Sequence, residues 1–213
     1  MILNSKQNKI STEERFNMKK NSTTKFAFLA MLAGVAILLS GCAARELIVS
    51  EVLRVPEQAT IRTAYNLWYT NPMEMDTINH QQGTIIPFGT EVLITKATEE
   101  EIFFKTIEDG KKFRIVFEPH YRLQTPEQYL YDLFTAKSED ELRDGLDALT
   151  YEKVRRGFVE KGMPVSAVLL AYGPPCKYRT PDPSKGTWLY PVAYLEYKRI
   201  LIKDGKVFGI ILP

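Results

Sequence analysis

The apolar residues of this chain change their period near Thr125, and that change restricts the fold to a β-rich part followed by a mixed helical one. Before it the period is two. Phe113, Ile115 and Phe117 alternate with Lys112 and Arg114, a pattern that buries one face of a strand and wets the other. Glu91 to Lys96 and Glu101 to Ile107 also run extended, behind a turn at Pro87-Phe88-Gly89. Asp109-Gly110 closes a hairpin, because glycine takes the positive φ that a two-residue primed turn requires. Upstream, Thr60 to Thr70 is rich in β-formers and predicts a first strand. Asn71 to Gly83, with Pro72 and no steady apolar rhythm, predicts a loop long enough to be functional or mobile. Residues 58–123 together predict a meander of four or five short strands.

Beyond Thr125 the period approaches 3.6. Thr125-Pro126-Glu127-Gln128 is a capping box with proline at the first helical position, and Leu130, Leu133 and Phe134 follow on one face. Ser138-Glu139-Asp140-Glu141 is a second box, opening a helix with the stripe Leu142, Leu146 and Leu149. Thr150 caps a third helix, which carries Val154 and Phe158. The acidic residues at these starts read as helix-start electrostatics and solvated faces, not as paired catalytic carboxylates. Near the end, Tyr194 to Lys203 and Lys206 to Leu212 flank Asp204-Gly205, another hairpin turn. The fold class is therefore α+β.

The N-terminal segment carries an address. Phe26 to Ser40 is an apolar core of about 15 residues behind the basic Lys19, Lys20 and Lys25, the order of a secretory signal, and it is short for a bilayer span. Leu39-Ser40-Gly41-Cys42 resembles the lipobox of bacterial lipoproteins. That resemblance implies that residues 1–41 are a signal peptide, that the chain is cut before Cys42, and that Cys42 carries acyl chains holding it to a membrane. Met18-Lys19-Lys20 reads as a more usual start for such a signal than Met1. Residues 42–57 then form a lipidated tether that becomes ordered near Leu53 to Pro56. Ala43 behind the cysteine resembles lipoproteins sorted to the outer membrane, where the body faces the periplasm. Charge agrees with this address. Removing residues 1–41 leaves 172 residues with 22 of the 28 basic and 24 of the 26 acidic side chains. The basic excess thus belongs to the signal, and a nucleic-acid partner loses its electrostatic support.

Two further resemblances cover the body. The turn and strand Pro87-Phe88-Gly89-Thr90-Glu91-Val92, behind an aromatic-bearing strand, resemble a bacterial SH3-like barrel. The resemblance implies that Tyr65, Trp68, Tyr69 and Phe88 line a peptide or glycan groove. Filling a small core is the competing use for such large side chains, and alternation makes Trp68 or Tyr69 the better groove candidates. The stretch from Gly162-Met163 through Val168 to Gly173-Pro174-Pro175, followed by Trp188-Leu189-Tyr190 and two strands, resembles the SmpA/OmlA lipoprotein family, also called BamE. It implies helices packed on a small antiparallel sheet over Thr150 to Pro213, within a second region spanning residues 124–213. Gly162, Met163, Val168, Gly173, Pro175, Trp188 and Tyr190 are the positions that carry the family pattern. Departures are Pro164, where family members tend to carry a Ser or Thr cap, and the longer loop from Cys176 to Gly186.

These readings point to a non-catalytic, lipid-anchored cell-envelope protein that acts as an interaction or scaffold module in outer-membrane assembly or envelope integrity, with an envelope protein as partner. One alternative is a peptidoglycan binder using the aromatics near Trp68 and the loop from Asn71 to Gly83. The other is an envelope hydrolase with Cys176 as nucleophile and His80 or His120 as its base. Such a cysteine usually opens a helix, whereas Cys176 follows a helix end at Pro174-Pro175. With Cys42 acylated, Cys176 has no cysteine to pair with. No cofactor motif is present, and no metal-ligand spacing surrounds either histidine.

Overall fold

The alternation that begins at Glu91 places β5 (Glu91–Ala97), β6 (Glu101–Thr106) and β7 (Lys112–Val116) side by side in a computed structural model that describes residues 44–117 and 123–213. Cys42 and His120 lie outside the described residues. Ile102 and Phe104 on β6 and Phe113 and Ile115 on β7 turn to one side and are buried, as the period requires. Phe104 and Phe113 stack across the β6–β7 pair with ring centroids 5.0 Å apart. The hairpin turn lies where Asp109-Gly110 predicts it, but it runs from Ile107 to Gly110: Thr106 N donates to Lys111 O at 3.0 Å, and Asp109 accepts from Lys111 N at 3.1 Å.

The segment 60–70 is not one strand. It gives β1 (Ile61–Thr63) and β2 (Leu67–Tyr69), which belong to different sheets. β1 pairs antiparallel with β5, and β2 pairs with β4 (Thr84–Ile86). The break falls at Asn66, whose buried amide is committed to partners on both sides. The expected loop 71–83 contains β3 (Met75–Asp76), which adds a parallel strand beside β7.

Helix α1 (Val49–Leu53) precedes the strands. It lies in the stretch expected as a tether, which instead packs on the body. Leu47 and Leu53 are buried in the first core, Leu47 N donates to Ala97 O at 2.9 Å, and Glu46 pairs with Thr98 at the end of β5. Apolar burial and strand pairing therefore order the chain from Glu46 onward.

Both arms of the Thr125 capping box form, and α2 (Pro126–Leu133) buries Leu130 and Leu133. The chain then leaves the helix, and Phe134 enters β8 (Phe134–Thr135), which pairs with β1. The larger sheet thus has the order β3-β7-β6-β5-β1-β8. Its core takes in α2 and β8, so the boundary between the two cores falls after Thr135 rather than at residue 123.

Ser138 also forms its box, but α3 spans only Glu139–Leu142. Leu142 and Leu146 pack partly against the second core, while Leu149 is exposed. α4 (Ala148–Arg155) is capped by Asp147, which accepts from Thr150 N at 2.9 Å; Thr150 lies inside the helix it was expected to cap. An Asp at the N-cap satisfies a first-turn amide at least as well as Thr does. Phe158 falls beyond α4 and is exposed.

α5 (Val165–Tyr172) lacks a capping side chain because Pro164 stands at that position. Its first amide is satisfied from elsewhere: Val165 N donates to Gly205 O at 3.0 Å. That carbonyl belongs to the two-residue turn between β10 (Glu196–Lys203) and β11 (Lys206–Ile211). With β9 (Thr187–Ala193) these strands form an antiparallel sheet in the order β11-β10-β9. Trp188 and Tyr190 share the face of β9 that packs on α5, in one core with Val168, Met163 and Phe88. Among the described residues no helix is long and apolar enough to cross a membrane.

Candidate functional site

Asn66 sets the geometry around which the candidate site is built. Its Oδ1 accepts from Phe88 N at 2.8 Å and its Nδ2 donates to Val154 O at 2.7 Å. Its own backbone N–H reaches Leu170 O at 2.9 Å. A side chain excluded from water needs such partners, and here they come from the turn before β5, from α4 and from α5. The next residue along that matters is Asn79, in the loop expected to be functional. Asn79 Oδ1 accepts from Trp68 N at 2.9 Å, and its Nδ2 donates to Asn66 O at 3.1 Å. The loop 71–83 is thereby fastened along β2. Its far end is tied to the second sheet, because Gln81 N donates to Pro191 O at 3.2 Å and Lys198 Nζ donates to Gln81 Oε1 at 2.7 Å.

These ties leave a cavity of about 210 Å3 lined by Trp68, Tyr69, Asp76, His80, Gln82 and Tyr194, among others. It is smaller than the roughly 300–1,000 Å3 of drug-sized sites, and it suits one ring or one side chain. Gly157 lets Trp68 lie where it does. This glycine ends α4 at φ +74, and any Cβ there would collide with the Trp68 ring. Tyr69 is braced by Phe113, edge-on at 5.2 Å, and by Lys111, whose Nζ donates to the Tyr69 hydroxyl at 2.7 Å. Tyr194, in the turn between β9 and β10, is 86% exposed and forms an unbraced side of the cavity.

The charged lining consists of the carboxylates of Glu74 and Asp76 and the imidazole of His80. Asp76 Oδ2 lies 3.2 Å from His80 Nδ1, and Asp76 Oδ1 accepts from Ile78 N at 2.7 Å. Burial opposes ionisation of Asp76, but the hydrogen bond and charge of His80, with the amides of Ile78 and Asn79, outweigh it and hold the carboxyl below its usual range. Trp68 Nε1 is buried and meets no acceptor among the described residues.

Of the four aromatics expected to line a groove, the structure brings Trp68 and Tyr69 to this cavity. Tyr65, 3% exposed, and Phe88, fully buried, pack inside the two cores. Tyr65 lies against Gly173, where a Cβ would come within 2.6 Å of its ring. Of the family-pattern positions, Met163, Val168, Trp188 and Tyr190 are core residues, and Pro175 is buried. Gly162 N donates to Val207 O at 2.8 Å, and Tyr190 Oη donates to Gly173 O at 3.0 Å. Cys176 is buried and is not among the residues lining the cavity that holds His80. No group of three or more His, Cys, Asp and Glu side chains is placed to hold a metal ion among the described residues.

Asn66, Asn79, Gly157 and Tyr194 were not singled out from sequence. Gly157 carried a readable signal, since glycine commonly follows a helix end. The two asparagines sit in segments without periodicity, where only tertiary partners distinguish them. Comparison with protein-family models, with curated proteins and with solved structures finds no match to this chain.

Proposed function

We propose that this chain is a non-catalytic, lipid-anchored envelope protein, acylated at Cys42 and held at the outer membrane facing the periplasm, that engages an envelope protein partner through the Trp68–Tyr69 cavity. The observation that carries the reading is the convergence of β2, the loop 71–83 and the β9–β10 turn on one cavity lined by aromatic and charged side chains. Aromatic side chains that are already braced lose little freedom on binding, so they make efficient anchors for a partner. The SH3-like and BamE-like resemblances belong to this proposal. Support for the first is the turn Pro87 to Thr90 leading into β5; support for the second is Trp188 and Tyr190 packed on α5 beside the β10–β11 hairpin. A peptidoglycan ligand is the second reading, favoured by aromatic faces beside a carboxylate and the Gln82 side chain, the groups that meet the faces and hydroxyls of a sugar ring.

Tyr194→Ala tests both, because a side chain 86% exposed contributes almost nothing to the fold. The variant is expected to keep its melting temperature and to lose in-cell crosslinks to its partner by about tenfold, a cost of about 1.4 kcal/mol. Loss of co-sedimentation with purified sacculi instead would favour the glycan. Unchanged capture of both would overturn the assignment of this cavity.

A further inference from the structure

The proposed acylation of Cys42 places the anchor close to Arg45, near the start of the described residues. Arg45 is fixed: its side chain forms ion pairs with Glu99, at 2.6 Å, and with Glu127, and its carbonyl accepts from Glu99 N at 3.1 Å. Three peptide steps separate Cys42 from Arg45. Fully extended, they span at most roughly 11 Å, little more than the depth of a headgroup layer.

A groove of about 820 Å3 opens beside Arg45, between α1 and α2. Its wall includes Ile48, 55% exposed, and Tyr131, 53% exposed, with Arg54 and Lys177 nearby. Tyrosine and aliphatic side chains flanked by long basic ones are the composition that settles at a membrane–water interface. The three basic groups of the groove face four carboxylates, so the surface is mixed in sign and suited to zwitterionic headgroups, which present both charges.

Resting on the lipoprotein reading, we infer that this groove is seated on the headgroups of the anchoring bilayer, which orients the whole body. β6 starts at Glu101, beside the Thr98–Glu99 turn that holds Arg45, and runs six residues, about 20 Å, toward the β6–β7 turn. That turn therefore points away from the membrane.

The test uses full-length lipidated protein reconstituted in phosphatidylethanolamine and phosphatidylcholine vesicles. An environment-sensitive fluorophore is placed at Ile48→Cys, Tyr131→Cys or Glu108→Cys, each in a Cys176→Ala background. Labels at 48 and 131 are expected to brighten at least about twofold and to be quenched by brominated phosphatidylethanolamine, as interfacial depth requires, while the label at 108 keeps its dim, water-exposed emission and is not quenched. Adding phosphatidylglycerol is expected to leave the quenching unchanged. Labels at 48 and 131 that behave like 108, on protein whose intact mass shows acyl chains on Cys42, would overturn the docking and leave the lipoprotein reading standing. An intact mass without acyl chains would overturn both.

Discussion

Single side chains in this protein matter in proportion to how many segments they hold. Asn66 is buried, and it links the turn at Phe88 to α4 and α5. Asn66→Ala leaves the Phe88 amide without its acceptor, whereas the Val154 carbonyl keeps the Gly157 N–H at 2.9 Å, and a buried orphan costs about 1–3 kcal/mol, so a loss of that size is expected in urea unfolding. A loss below about 1 kcal/mol would mean that water or rearrangement replaces these bonds. Asp76 acts through charge. Its carboxyl titrates below the usual range in the folded state, so its contribution is present above the unfolded value near 4 and disappears as pH falls through the folded value. Melting curves of the parent and of Asp76→Asn are therefore expected to differ at pH 6 and to converge below pH 4. A gap that stays constant with pH would show that the pair contributes nothing through ionisation.

At the scale of elements, helix starts in this chain are local and helix faces are not. Thr125 and Ser138 form complete capping boxes, because the bonds involved close within four residues. How far each helix runs, and which side it buries, depends on what lies against it. Leu130 on α2 is fully buried, whereas Leu149 on α4 is 66% exposed although its spacing from Leu142 and Leu146 suggests one stripe. α3 stops at Leu142, which breaks that stripe. Leu130→Ala is accordingly expected to cost about 2–5 kcal/mol and Leu149→Ala less than about 0.5 kcal/mol, measured as shifts in denaturant midpoint. Equal costs would place Leu149 in a core.

Across the whole described body, residues 44–213 group as one compact unit, although their buried side chains form two clusters. The clusters exchange residues. Phe88, from the β-rich part, sits in the second core with its ring 5.7 Å from that of Tyr151, and Tyr65, in the first core, packs on Gly173 behind α5. Shared side chains and the Asn66 bonds make separate melting unfavourable. Thermal unfolding of the soluble body, followed by calorimetry, by far-UV circular dichroism and by the fluorescence of Trp68 and Trp188, is expected to give one coincident transition. Two resolved transitions would show that the cores are energetically independent.

What the sequence determined by itself was local or periodic: the α+β class, strands β5 to β7, two capping boxes and the Asp204-Gly205 turn. Each follows from bonds a few residues long or from a repeat that selects one face. Tertiary structure decided everything that needed a distant partner. Thr60 to Thr70 split into strands of two sheets because Asn66 bonds to residues 22 and 88 positions away. Arg45 to Leu53 joined the body because Leu47 found Ala97, and Phe88 left the cavity for the second core. The cavity itself combines Trp68 with Tyr194, 126 positions apart in the chain. No period or motif encodes such a meeting, since it depends on free energy shared among segments that are neighbours only after folding.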